Sequence, residues 1–378
     1  MRRSQESRSP TTARKAWQAS DLTGMQVTIV RSYNDGAVRP LPAAKMCSSR
    51  FHNTTWRVSW KRPHPDSRKP ISWSSPMFDS PPLAAATADL PSFASYELAR
   101  NRTDNRLQRA EGGGSIVLGG ARNGARIVEV FQRSPIRIMF PRVAGSAVEE
   151  AVFINTAGGI AGGDRLECDV TALAEASIAV TSQAAEKVYR ALNEPARIAT
   201  RLKACESAKL AWLPQETIIF NWARLSRKTE VDVASGAELL ALEWLVLGRA
   251  AHGEDMVGGH ISDTWHVKKD GRLIWADCFR ATDGTFPNLK RNALLSSCKA
   301  IGTLIYFGPD FAARLEFFRG IAGSLKCHCA ATCVSGLIIV RLAATRSSDL
   351  SLALRSLLQQ FSQQLDAGPF RVPKMWSC

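Results

Sequence analysis

From about Gly113 to Arg280 the chain breaks into short apolar or alternating runs set apart by Gly, Pro, Asn, Asp and Ser. They are 125–132 (ARIVEVFQ), 136–140 (IRIMF), 151–155 (AVFIN), 165–170 (RLECDV), 177–183 (SIAVTSQ), 196–204 (ARIATRLKA), 208–213 (AKLAWL), 229–234 (TEVDVA) and 237–247 (AELLALEWLVL). Runs this short, many with a period of two, offer no 3.6-residue stripe for a helix, so each is a strand. Strands repeated at such close intervals commit the chain to a mainly β body. Within 264–280 (TWHVKKDGRLIWADCFR), Asp270-Gly271 supplies the two residues of a type I′ turn and predicts a hairpin.

Helical texture comes late. Leu350, Leu354, Leu357, Leu358, Phe361 and Leu365 fall at helical spacing, with Ser348 or Asp349 as N-cap and Gly368-Pro369 as a stop. A second, shorter helix is predicted over 310–321 (DFAARLEFFRGI). About two helices near the C-terminus therefore accompany one β-rich domain over 111–378, with no clear internal repeat and no linker.

Residues 1–110 read differently. They carry 18 Lys and Arg against 8 Asp and Glu, which is +10 of the chain's net +15 and leaves +5 for the other 268 residues. Rich in Arg, Ser and Pro and without sustained periodicity, this segment cannot bury enough apolar surface to offset chain entropy and is expected to be disordered. It is read as a transit peptide, a basic interaction tail, or upstream sequence before a true start at Met25, Met46 or Met77, the last being preferred. No run reaches the roughly 18 apolar residues of a membrane span; 239–247 is short and carries Glu243. Nine cysteines, odd in number and without a secretory h-region, point to reduced thiols and a cytoplasmic setting.

The segment 153–170 (FINTAGGIAGGDRLECDV) places Gly158, Gly159, Gly162 and Gly163 within six positions. A phosphate loop would follow its second Gly with Lys and then Ser or Thr; here Asp164 and Arg165 follow, and G-x-G-x-x-G is also absent. The glycines are read as a tight turn or bulge between strands.

Other chemistry is sparse. His252, Glu254, Asp255, His260, Asp263 and His266 form the densest polar group, but their spacing matches no ordered metal motif. A metal-dependent hydrolase built on His252 and His260 is the alternative this group raises, against the reading of a loop beside a hairpin. Cys327 and Cys329 share one face of a strand and could offer a thiolate pair, with core packing preferred. No nucleophile elbow is present. In 212–220 (WLPQETIIF), Pro214 interrupts a strand and leaves Gln215 and Glu216 at an irregular spot. The basic N-terminus raises a nucleic-acid-binding reading as a second alternative.

Taken in order, 133–141 (RSPIRIMFP), 155–167 (NTAGGIAGGDRLE), 181–190 (TSQAAEKVYR), WLPQETIIF, 247–254 (LGRAAHGE) and 372–376 (VPKMW) resemble the UreD/UreH family of urease accessory proteins. The resemblance implies a helix-like stack of β-strands with two helices, and a non-catalytic scaffold, not an enzyme, needed for nickel insertion into the urease metallocentre. Implied partners are apo-urease, a helical accessory protein of the UreF type and a nickel-carrying GTPase of the UreG type, with neither nucleic acid nor membrane. No tightly bound cofactor is implied, only transient nickel passing through the scaffold. Arg133, the turn Gly158, Gly159, Gly162, Gly163, Asp164 and Arg165, then Glu216, Arg249, Gly253 and Glu254 match family motifs and are candidates for lining an ion route or touching partners. The basic extension and the stretch 324–336 depart from the pattern.

Overall fold

A computed structural model of the chain describes residues 109–121, 124–141, 149–364 and 369–377. The predicted disorder of residues 1–110 falls almost wholly outside these residues, as do Leu365 and Gly368. In chain order the first strands are β1 (Glu111–Ala121), β2 (Gly124–Arg133), β3 (Ile136–Met139), β4 (Glu150–Asn155), β5 (Arg165–Ala172) and β6 (Ser177–Ser182). Next come β7 (Glu186–Val188), β8 (Ala196–Ala204), β9 (Lys209–Trp212), β10 (Thr217–Ile219), β11 (Arg224–Val233) and β12 (Glu238–Leu247). The hairpin β13 (His260–Lys269) and β14 (Arg272–Thr282) follows, then β15 (Ala300–Phe307), helix α1 (Phe311–Ala322), β16 (His328–Val334), β17 (Leu337–Ala344) and helix α2 (Ser347–Gln363).

These strands build two sheets. One runs β14-β13-β11-β8-β5-β1-β2; the other runs β16-β17-β15-β12-β9-β6-β4-β3, with β10 beside β12 and β7 beside β10. The middle of each is parallel: β1, β5, β8, β11 and β13 in the first, β4, β6, β9 and β12 in the second. Parallel neighbours need crossovers, and here each crossover passes through a strand of the opposite sheet instead of a helix. The chain therefore winds as a stack of flattened coils, the helix-like stack of strands expected. Antiparallel strands close both ends, including the hairpin, whose Asp270 (φ 50°) and Gly271 (φ 76°) have the positive φ values a type I′ turn demands.

Two cores result. Between the sheets lie the inward residues of both, among them Phe153, Trp212, Leu225, Val231, Ile261 and Trp265. On the outer face of the second sheet, α1 and α2 lay Leu315, Phe318, Leu350, Leu354, Leu357, Leu358 and Phe361 over Trp244, Tyr306 and Val340. Strand β12, covered on both faces, is buried at all ten positions, which is why its sequence does not alternate. Fully burying each of these large side chains contributes about 1.5–3 kcal/mol.

Helix α2 starts earlier than predicted. Its N-cap is Arg346, extended and without a side-chain cap, not Ser348 or Asp349. Asp349 lies inside the first turn, where both its oxygens accept from Arg346 at 2.8 Å, so the carboxylate meets the positive helix end through a paired Arg.

Candidate functional site

The pleat decides what enters the space between the sheets. Along β11 the inward positions are Leu225, Arg227, Thr229, Val231 and Val233; along β13 they are Ile261, Asp263, Trp265 and Val267. Arg227 and Asp263 are opposed in the parallel register, so a charged pair is carried into the core. Arg227 donates through Nε to Asp263 Oδ1 and through Nη2 to Oδ2, both at 2.8 Å. Its Nη1 crosses to the other sheet, donating to Glu243 Oε2 at 2.6 Å and to Thr217 Oγ1 at 3.0 Å. Trp212 Nε1 holds the second Glu243 oxygen at 2.9 Å. Arg227, Glu243 and Asp263 are 3%, 5% and 7% exposed, so this is a buried ion triad. Burial raises the Glu243 carboxyl above its usual range, with Arg227 opposing; for Arg227, burial is outweighed by the two acids, which keep the guanidinium charged.

Two cavities meet at this triad. The first, about 250 Å³, runs from Asn155, Gly158 and residues 182–187 past Cys168, Thr200, Pro214 and Gln215 to Arg227 and Glu243. The second, about 420 Å³, is lined by Glu243, Asp263, Trp265, Asp277, Thr303, His328 and Arg341. Glu243 borders both. In the first, Glu186 accepts from Asn155 Nδ2 at 3.0 Å, and burial pushes its carboxyl up to about 7. Burial and the surrounding acids, Glu186 foremost, keep Cys168 a thiol. Arg341 pairs with Asp277 at 2.7 Å beside the second.

The motif residues divide between this interior and its rim. Gly158 (φ 73°) and Gly163 (φ 90°) make the turn, while a Cβ on Gly159 would sit 2.5 Å from the Tyr189 ring. Asp164 is buried and accepts from the backbone N–H of Ala110 at 2.8 Å and Ala161 at 2.7 Å, so it clamps the turn to the residue that leads into β1. A Cβ on Gly162 would meet Ala191. Arg133, paired with Glu111 at 3.1 Å, and Arg165 line a separate surface cleft with Glu167. Glu216 is part-buried, which raises its carboxyl, and its carbonyl accepts from Glu186 N–H at 2.8 Å. Arg249 pairs with Glu254 and stacks on Phe220 4.1 Å away, with Gly253 (φ 67°) closing the short 3-10 turn between them. Burial works against Glu254's charge, yet Arg249 and the Asn221 N–H hold its carboxyl below the usual range. The C-terminal motif returns here too: Trp376 Nε1 donates to Thr181 Oγ1 and Leu213 O, both at 3.2 Å.

The polar group proposed for a hydrolase is taken apart. Asp263 points inward to Arg227, while His260 and His266 occupy the opposite face of β13 and His252 is exposed on the 3-10 turn. Asp255 is held by Lys290 and Lys299, and Glu254 by Arg249. Among the described residues no three His, Cys, Asp or Glu are grouped to hold a metal ion. Cys327 and Cys329 pack with Cys333 against the core under the helices. Arg227, Glu243 and Glu186 are the site residues that motif spacing did not single out. No described helix is long and apolar enough to cross a membrane.

Residues 110–377 match the family described as UreD urease accessory protein. Similar proteins named urease accessory protein UreD include one from Methylobacterium sp. (strain 4-46), 37% identical over 265 residues, or 68% of this chain and 93% of that protein. Another, from Xanthobacter autotrophicus, is 37% identical over 294 residues, 78% of this chain and 98% of its own length. A third, from Rhizobium johnstonii, is 38% identical over 273 residues, 72% and 97% respectively.

Proposed function

The chain belongs to the UreD family of urease accessory proteins, and from that membership we propose that it is a non-catalytic scaffold through whose interior nickel reaches apo-urease. The observation that carries the reading is the pair of cavities meeting at Glu243. Their walls offer carboxylates and hydroxyls in sequence, oxygen groups that hold a borderline cation such as nickel loosely and so pass it along without trapping it in a closed ligand set. Two family segments, the paired-glycine turn and WLPQETIIF, contribute Gly158, Pro214 and Gln215 to the first cavity.

The neighbouring turns suit contact with other proteins. Tyr189 packs on Phe220, Ala191 N–H donates to Trp222 O, and Trp222 N–H to Gly258 O, so these turns form one edge of the stack. Leu192 and Val257 expose 80% and 54% of their surfaces there, and Trp222 is also exposed. Apolar side chains grouped on one edge are what a partner covers. In this reading the partners are apo-urease, a helical accessory protein and the GTPase that brings nickel; nucleotide is handled by the GTPase, and the setting is the cytoplasm.

The test is maturation itself. A urease-positive host lacking its own protein of this family, supplied with the full chain, should regain urease activity and nickel in the purified urease. If the chain accumulates, binds the host's accessory proteins and urease remains empty, the reading is wrong.

A further inference from the structure

The triad is built asymmetrically. Asp263 grips Arg227 through two parallel bonds, whereas Glu243 holds it through one, at an Nη1 already shared with Thr217. Glu243 is anchored separately by Trp212 and would stay in place were Arg227 to leave it. Arg227 and Asp263 balance each other's charge, so Glu243 is the carboxylate left over, and it borders both cavities. Beside the triad, Trp265 lines the second cavity and is 1% exposed, yet its Nε1 has no hydrogen-bond partner. Its register neighbour Thr229, 0% exposed, has an unpartnered Oγ1. Buried polar groups are normally satisfied, so an orphaned indole N–H on the wall of the second cavity, with a second orphan beside it, points to something that passes there carrying hydrogen-bond acceptors, such as the outer water shell of a cation.

We propose that Arg227 is a gate between the two cavities: its guanidinium occupies the cation position on Glu243, and a hydrated divalent cation crosses by taking that position while Asp263 retains the arginine. This rests on the scaffold reading above. Exchange of one cation for another keeps the interior's charge in balance at Glu243. It also excludes anions, because the site is a carboxylate with its own cation already in place. Arg227 is a positioning residue, and Glu243 is the group that touches the cargo.

Two variants of the full chain, each supplied to the host described above at limiting nickel, test the gate. Glu243→Gln keeps an oxygen for Trp212 and leaves Arg227 paired with Asp263, but removes the charge; nickel in purified urease should fall by about tenfold or more, with accessory proteins still bound. The double variant Arg227→Met with Asp263→Asn takes the competing cation off Glu243 and leaves a buried carboxylate that a divalent cation can compensate; purified from that host, it should bind nickel about tenfold more tightly than the unaltered chain, seen as a larger rise in Tm on adding nickel. A purely structural triad predicts no such nickel-dependent gain. Delivery unchanged in Glu243→Gln, or a double variant whose Tm added nickel raises no more than the unaltered chain's, overturns the gate. Failure of the unaltered chain to load urease would instead remove the scaffold reading on which the gate depends.

Discussion

Replacing Glu186 by Gln should stabilise the protein, and increasingly so as pH rises. The carboxyl sits at about 7 when folded against an ordinary 4.5, because burial disfavours its charge more than Asn155 and neighbouring groups favour it. Below 4.5 both folded and unfolded chains are protonated and the group contributes nothing. Between 4.5 and about 7 the unfolded chain binds fewer protons, so stability falls as pH rises; above the folded value the full cost is present. A shift of this size corresponds to about 3 kcal/mol at 1.36 kcal/mol per unit. The Gln side chain keeps an oxygen for Asn155 Nδ2 and carries no charge to desolvate. Its advantage should therefore be roughly 1 kcal/mol at pH 5 and about 3 kcal/mol at pH 8. Urea unfolding of both full-length proteins at the two pH values measures this directly. An advantage equal at both, or a variant weaker than the parent at pH 8, would refute the assignment of Glu186 as a carboxyl whose charge is disfavoured by partial burial.

Asp164→Ala should cost about 2–4 kcal/mol, because the N–H groups of Ala110 and Ala161 lose a charged acceptor, and Asp164→Asn should recover part of that in the same unfolding assay. Trp376→Ala should cost about 3–5 kcal/mol by emptying a fully buried site and should raise protease sensitivity around residues 369–377; resistance equal to the parent's would contradict the anchoring of the C-terminal motif. Gly159→Ala should cost about 1–3 kcal/mol, since its Cβ would force away the Tyr189 ring and break the Tyr189 hydroxyl's bond to Gly158 O, visible as a lowered Tm.

Most strands from β2 to β14, the hairpin and both helices were legible because each is a local pattern: alternation, Asp270-Gly271, and Leu spacing along α2; β1, β7, β15 and β17 were not singled out. The stack was not legible from periodicity. Successive coils share geometry without sharing residues, since a coil needs only inward apolar positions and differs freely in its turns. Of the glycine turn, the sequence showed that it is no phosphate loop, but not why four glycines are present. Two adopt positive φ, and the other two lie under Tyr189 and Ala191, contacts made by a segment some thirty residues away along the chain. The polar group from His252 to His266 misled for a simpler reason: proximity along a strand places residues on alternate faces.

Strand phase would have corrected that grouping, and it also bears on why the triad exists. In RLSRKTEVDV, Leu225, Val231 and Val233 set the inward face, and Arg227 shares it. A guanidinium forced inward needs acids around it, because an unpaired buried charge is prohibitive. Asp263 meets the need, its phase set by Ile261, Trp265 and Val267. Glu243 could not be found this way, since β12 is buried on both faces and has no phase to read. One carboxylate is enough to neutralise Arg227, and buried pairs are often no more stable than hydrophobic replacements of the same volume. A second acid, fixed by its own tryptophan and bordering both cavities, is therefore more than stability asks for. In the gate proposed above that surplus charge receives the cation, which is why the decisive comparison is between removing Glu243's charge and removing the Arg227–Asp263 pair.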